Sequence, residues 1–240
     1  MFLLDAPVPI AYALVTGLAD GIHPVAGPMA AATAIIVFTL LVRLAMLPLA
    51  VAAARGERTR ARLLPKVRDL QQRHKKNPER LKRETAALYE AEGATPLTGC
   101  LPMFAQVPFF MVMYRLFRSA TVAGHQNALL AHTLLGAPLG QNWIGLVGGG
   151  LFAPPSLVFL GLLALLAALA VWSSRRTAAT ASAGTAPAGA AGVLARVAPF
   201  GTVVFAVFMP LAAGLYLLAS GTWTAVERAV LHRRIVAPAA

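Results

Sequence analysis

Acidic residues are scarce in this chain. Nine Asp and Glu stand against 21 Lys and Arg, giving a formal charge of +12 over 240 residues. Only 12% of residues are charged, about half the usual share for a soluble domain. Such a chain lacks the polar surface of an ordinary soluble protein, and that class is excluded. Cysteine is nearly absent as well. Cys100 stands alone, so neither an internal disulfide nor a cysteine-based metal site can form. The five histidines, His23, His74, His125, His132 and His232, are scattered without ligand spacing. No nucleophile is set beside a base and no phosphate-binding loop occurs, so enzymatic catalysis has no support and no cofactor or metal is expected. The N-terminal stretch has Asp5 where a secretory signal would carry basic residues.

What the chain has in excess is long apolar runs, with 58% hydrophobic residues and a mean hydropathy of +0.69. Runs of the roughly 20 residues needed to cross a bilayer recur. They predict an all-α polytopic membrane protein. An external segment is expected over 1–28. Its apolar part, Ile10 to Leu18, is too short to span and reads as an interfacial helix. Span one is placed at 29–54, a basic hairpin at 55–95 and span two at 97–117. An external loop follows over 118–154, then span three over 155–174 and a small-residue cytoplasmic loop over 175–193.

The stretch from Val193 to Leu231 can be drawn as one long helix or two short ones. Charge parity chooses between them. Arg175, Arg176 and Arg196 lie before or at its start, and Arg228, Arg233 and Arg234 at or after its end. The positive-inside rule puts both clusters in the cytoplasm, which requires an even number of crossings. The chain therefore turns near Pro210, with span four at 194–209, span five at 211–231 and a cytoplasmic tail at 232–240. The result is five spans, N-terminus outside and C-terminus inside. Arg115 and Arg118, at the outer end of span two, run against the rule.

The basic hairpin concentrates the charge. Twelve Lys and Arg lie between Arg55 and Arg83. Leu63, Val67 and Leu70 repeat at helical spacing. Asn77 and Pro78 then form a cap and first turn, Leu81, Thr85 and Leu88 continue along one face, and Gly93 stops the helix. Two readings of its cations stand side by side: a solvated face beside a membrane, or a contact surface for anionic lipid or ribosomal RNA.

One cation does not fit its surroundings. In "IIVFTLLVRLAMLPLA", Arg43 stands within an otherwise uncharged run. It is 12 residues before Arg55, about 18 Å along a helix, which places it near mid-depth in a roughly 30 Å hydrocarbon core. Insertion scales put the cost at roughly 2.5–3.5 kcal/mol. Three offsets are open. A buried acid is disfavoured, because no predicted span has one in its interior: Asp5, Asp20 and Glu227 are terminal or interfacial, and the other six acids lie in the hairpin. Hydroxyls and carbonyls are a second offset, with Thr39 one turn earlier on the same face. A water-filled cavity is the third, and the absence of acids favours it.

The segment "FTLLVRLAMLPLA", continued by "LLPKVRDLQQRHKKNPERLKRETAALYEAEGATPLTGCLPMFAQVPFFMVMYRLF", resembles the YidC family of membrane protein insertases over about Ala30 to Phe117. "FMPLAAGLYLLASGTW" resembles that family's closing span more weakly. The resemblance implies five spans around a hydrophilic groove open to the cytoplasm and closed toward the outside. The family's groove arginine falls on Arg43, its glutamine on Gln106 and its closing-span tyrosine on Tyr216. Where the family has a Ser-Asn pair, Ser220 matches and Gly221 does not. The hairpin is implied to recruit substrates or partners, with Arg58, Lys66, Arg73, Lys75, Lys76, Arg80, Lys82 and Arg83 as the candidate contacts. The resemblance is to a short bacterial form, expected to be without the large outer domain of some members and without a long basic tail.

The expected function is insertion of nascent hydrophobic segments into the bacterial cell membrane, without nucleotide hydrolysis. Expected partners are nascent membrane proteins and anionic lipid, with the ribosome and a secretion channel as further candidates and no specific nucleic acid. Two other classes stay open: a small transporter or channel for an anionic solute, and a passive assembly factor for membrane complexes.

Overall fold

The computed structural model describes residues 7–93, 101–148, 150, 152–182, 190–231, 233 and 235. Two compact units are distinguished, one of Met1–Ala45 with Pro108–Ala225, the other of Met46–Val107 with Val226–Ala240.

In the first unit, α1 (Pro7–Ala26) packs along α2 (Ala30–Ala45). The chain passes between them through a short 3₁₀ turn, Gly27–Met29. Gly27 has φ +52° there, a conformation glycine adopts at no steric cost. Val8, Ala11, Val15 and Ala19 form the buried stripe of α1, at the three-to-four-residue spacing of one helix face. α2 meets the core with Ala30, Ala31, Ala34 and Ile35, and small side chains let helix backbones approach closely. The N-terminal helix is thus longer than the apolar stretch Ile10–Leu18, because Asp20 and His23 both sit on exposed positions and do not interrupt it.

α2 stops at Ala45 and a new helix starts at Leu47. Pro48 lies in its first turn, where a missing N–H breaks no hydrogen bond. The stretch expected as span one, 29–54, therefore contains two helices.

The second unit includes the hairpin. α3 (Leu47–Arg73) and α4 (Pro78–Ala91) pack against each other. Asn77 Oδ1 accepts from the Arg80 backbone N–H at 3.0 Å and Pro78 begins α4. Gly93, with φ +59°, follows its end.

α5 (Leu101–Arg118) contributes Val112, Met113, Leu116 and Phe117 to the core of the first unit. After it come two small antiparallel pairs, β1 (Thr121–Val122) with β2 (His125–Gln126), and, past α6 (Ala128–Ala131), β3 (Thr133–Leu134) with β4 (Ala137–Pro138). Each pair turns through two residues with positive φ: Ala123 and Gly124 at 51° and 82°, Leu135 and Gly136 at 50° and 84°. This is the two-residue turn whose twist suits a hairpin.

α7 (Trp143–Val147) leads to α8 (Pro154–Ser182), which packs along α9 (Ala190–Phe208). α8 continues past the expected end of span three at 174. α10 (Leu211–Leu231) begins after a break at Met209–Pro210. Its first N–H groups, which a helix leaves without internal partners, are met by the preceding loop: Leu211 N donates to Gln141 O at 2.9 Å and Ala212 N to Leu139 O at 3.0 Å.

By length and apolarity, Pro7–Ala45, taken through its 3₁₀ turn, and Pro154–Ala179 suffice to cross a bilayer; Gly192–Phe208 is apolar but shorter. The outward faces of α8 and α9 are greasy too, with Leu157, Leu165, Val197, Val204 and Phe208 at least half exposed. Contiguous exposed apolar surface of this kind suits lipid rather than water.

Candidate functional site

Arg43 ends a buried line on α2. Ile35, Thr39 and Arg43 follow at four-residue steps and are 0%, 0% and 7% exposed. A guanidinium placed there must find hydrogen-bond partners, since an unsatisfied buried donor is costly and a charged one more so. Arg43 Nη2 donates to the Ser220 hydroxyl of α10, a residue itself 5% exposed. The hydroxyl satisfies one of the guanidinium's five donors. Thr39 has a different role from that of a partner for Arg43 in this arrangement: its hydroxyl donates back to Ile35 O at 2.6 Å. Thr and Ser side chains within a helix commonly bond back to the carbonyl four residues earlier in this way.

Ser220 belongs to a row on α10. Tyr216, Ser220 and Thr224 are one turn apart, and the Thr224 hydroxyl donates to Ser220 O at 2.9 Å. Tyr216 is 2% exposed and sits among rings. Its centroid is 6.1 Å from Phe109, 6.2 Å from Phe110 and 6.4 Å from Phe117, all on α5. Phe38 of α2 adds a tilted contact with Phe109 at 6.5 Å. Separations of this size are typical of favourable tilted aromatic pairs. The arrangement brings a buried cation, a hydroxyl row and an aromatic cluster together in one unit.

Of the residues expected to line a groove, Arg43, Thr39 and Tyr216 therefore all lie in this unit, and Arg43 and Tyr216 are linked through adjacent turns of α10. Gln106 lies on the helical backbone of α5, and its side chain falls outside the described residues, as does Cys100. Ser220 is the contact that reasoning on Arg43 alone missed. Its signal was its match to the Ser of a Ser-Asn pair, and nothing local marks it as a partner 177 residues away.

The hairpin carries a separate group of cations. Arg58, Lys66, Arg73, Lys75, Lys76, Arg80, Lys82 and Arg83 are all exposed. Glu92 accepts from Arg62 Nη2 at 2.7 Å and from Lys66 Nζ at 2.9 Å, which joins α4 to α3. Glu84 meets Arg80 Nε at 2.8 Å and His74 Nε2 at 2.8 Å. Asp69 pairs with Arg73 at 2.8 Å. The hydrogen bond and charge of Lys66, with the charge of Arg62, hold the Glu92 carboxyl below the usual carboxylate range. The Arg80 hydrogen bond, followed by that of His74, does the same for Glu84.

Residues 22–238 match the family described as 60Kd inner membrane protein. The chain is also similar to curated proteins named membrane protein insertase YidC. That of Zymomonas mobilis is 29% identical over 183 residues, 76% of this chain and 30% of the relative. That of Acidiphilium cryptum is 33% identical over 146 residues, 60% and 24%. That of Granulibacter bethesdensis is 44% identical over 82 residues, 34% and 14%. The matched region spans less than a third of the length of these relatives.

Proposed function

The chain belongs to the YidC family of 60Kd inner membrane proteins, and from that premise we propose that it is a membrane protein insertase. On this reading it moves nascent hydrophobic segments from the cytoplasm into the lipid bilayer through a hydrated groove that contains Arg43. Five spans surround the groove, with the N-terminus outside and the C-terminus in the cytoplasm. The protein sits in a bacterial cell membrane. The exposed cations of α3 and α4 receive the substrate or its carrier, the ribosome and a secretion channel among them, and rest on anionic lipid.

The observation that carries this reading is a guanidinium 7% exposed between apolar helices, held by a neutral hydroxyl. Placing it there costs roughly 2.5–3.5 kcal/mol on insertion scales, and intramembrane cations mark functional sites by default. A passing chain with polar or acidic groups beside its hydrophobic segment gains a charge-assisted contact that lipid does not offer. Burial of roughly 20 apolar residues of the substrate then drives the step. The membrane potential adds about 2.3 kcal/mol per charge per 100 mV for acidic tails moving outward. No nucleotide enters this cycle, and the protein acts as a conduit rather than an enzyme.

The test is reconstitution of the purified protein alone in proteoliposomes with a single-span, acidic-tailed substrate, read by protease protection. Insertion without nucleotide is expected, with loss in Arg43→Ala. Unchanged insertion in that variant sinks the electrostatic role of Arg43. Failure of the wild type alone, with activity only beside other membrane subunits, replaces the insertase with an assembly factor.

A further inference from the structure

Insertion leaves Arg115 and Arg118 without a task. Both lie in the last turn of α5, the end where the proposed topology expects few cations. The Arg118 guanidinium lies 5.8 Å from the centroid of the Tyr114 ring and donates to the Tyr114 hydroxyl at 3.2 Å. Arg115 lines a cavity of about 270 Å³ with Ser119, Thr121, Val8, Pro9 and Val122.

Three elements form the walls: the start of α1, the end of α5 and β1. They are pinned to one another by hydrogen bonds. Asn127, 5% exposed, donates from Nδ2 to Leu116 O at 2.7 Å and Ser119 O at 3.0 Å, closing the carbonyl end of α5. Its backbone N–H donates to Ala120 O at 2.8 Å. Ala128 N donates to the Tyr12 hydroxyl at 3.3 Å, tying α1 to the same loop. The two-residue turn at Ala123–Gly124 holds β1 in place. The cavity is therefore built into the fold, as ligand sites commonly are.

Its lining has two chemical halves. A guanidinium with two hydroxyls is a donor set for phosphate oxygens. Val8, Pro9 and Val122 make the other half apolar. A free phosphate matches the polar half alone, whereas a phosphate ester bearing hydrocarbon chains matches both. We propose that this cavity binds the phosphodiester headgroup of an anionic phospholipid, with the phosphate on Arg115, Ser119 and Thr121 and the adjoining hydrocarbon against Val8, Pro9 and Val122. Such a lipid would anchor α1 to the end of α5. The proposal is independent of insertion, and its test reads lipid binding.

The full-length protein in mild detergent is titrated with phosphatidylglycerol, with diacylglycerol of the same chain length and with inorganic phosphate, followed by native mass spectrometry. Saturable binding of phosphatidylglycerol is expected, well above that of diacylglycerol. Arg115→Gln weakens it about tenfold, as loss of a charge-assisted contact does. Ser119→Ala weakens it less, and Arg118→Gln leaves it unchanged. Equal losses in the two arginine variants, or none in Arg115→Gln, overturn the proposal. Inorganic phosphate binding as tightly as phosphatidylglycerol overturns the lipid assignment and makes this a site for the soluble anion. Should Arg115→Gln fail to fold, Thr121→Trp fills the cavity from an exposed strand position; undiminished phosphatidylglycerol binding by that variant also overturns the proposal.

Discussion

Arg43 and the arginines of the α3–α4 hairpin carry one side chain into two environments. Arg43 is 7% exposed and donates to a hydroxyl. Arg62 has a side chain 66% exposed and donates to the Glu92 carboxylate. In water an ion pair is screened and its net worth is small, so acids can be placed among the hairpin cations at little cost. Among apolar helices a carboxylate beside the guanidinium would cancel its charge as well as satisfy it. A hydroxyl gives a hydrogen bond and keeps the field. The distribution of acids thus separates exposed cations that pair with carboxylates from a buried cation that pairs with a hydroxyl.

The strongest way to break that comparison is to remove the charge of Arg43. Arg43→Ala is expected to lower insertion of acidic-tailed substrates by about ten- to a hundredfold, the span of a lost charge-assisted hydrogen bond. Arg43→Lys keeps part of the activity if the field matters more than the fork of donors. Protease protection in proteoliposomes checks both. Arg43→Met sharpens the same point from the other side. It should raise the thermal midpoint, because a buried cation is replaced by an apolar side chain of similar length, while insertion is lost.

Ser220→Ala comes next. Taking the hydroxyl from a buried guanidinium should cost about 1.5–3 kcal/mol in unfolding free energy. In the Arg43→Met background the same substitution should cost little, and the difference between the two backgrounds measures the contact in a double-mutant cycle. Equal costs in both backgrounds would refute a direct Arg43–Ser220 interaction.

The hairpin should respond more mildly. Asn77→Ala removes the cap on α4 and should cost about 1 kcal/mol of local helix stability, seen as faster amide exchange over 78–91. Glu92→Gln should have the smallest effect, since its partners lie in water. Its signature is pH dependence. The folded carboxyl titrates below its unfolded value of about 4.3, so its contribution is full above that value and fades as pH falls through the lower, folded one. Amide exchange in α4, corrected for intrinsic rates, should accelerate over that acid window in the wild type and lose that dependence in Glu92→Gln, with the share of Glu84 remaining.

What could be read along the chain depended on range. Asn77, Pro78 and Gly93 mark the limits of α4 through interactions within a few residues, and they stand where those signals put them. Pro48 carried a similar signal for the break at Met46, which apolar run length concealed. The strand pairs of the 118–154 loop were illegible for a different reason. Each strand has two residues, too few for an alternating pattern, and the turns use Ala123 and Leu135 at positive φ, where neither residue is intrinsically favoured. The candidate site was half legible. Arg43 announced itself by its cost, Tyr216 by resemblance, and the rings of Phe109, Phe110 and Phe117 looked like any apolar run.

The sequence by itself determined where the cations stand, which runs are apolar, and that no acid lies within the run around Arg43. Those are properties of composition and of nearest neighbours, and folding cannot alter them. Only the tertiary structure decided that Arg43 meets Ser220, that Thr39 turns back to Ile35, and that Tyr216 sits among the aromatic side chains of α5. Each is a choice among several available partners. It is set by which helix faces pack together, and the free energy of that packing is shared over the whole core rather than written at any one position.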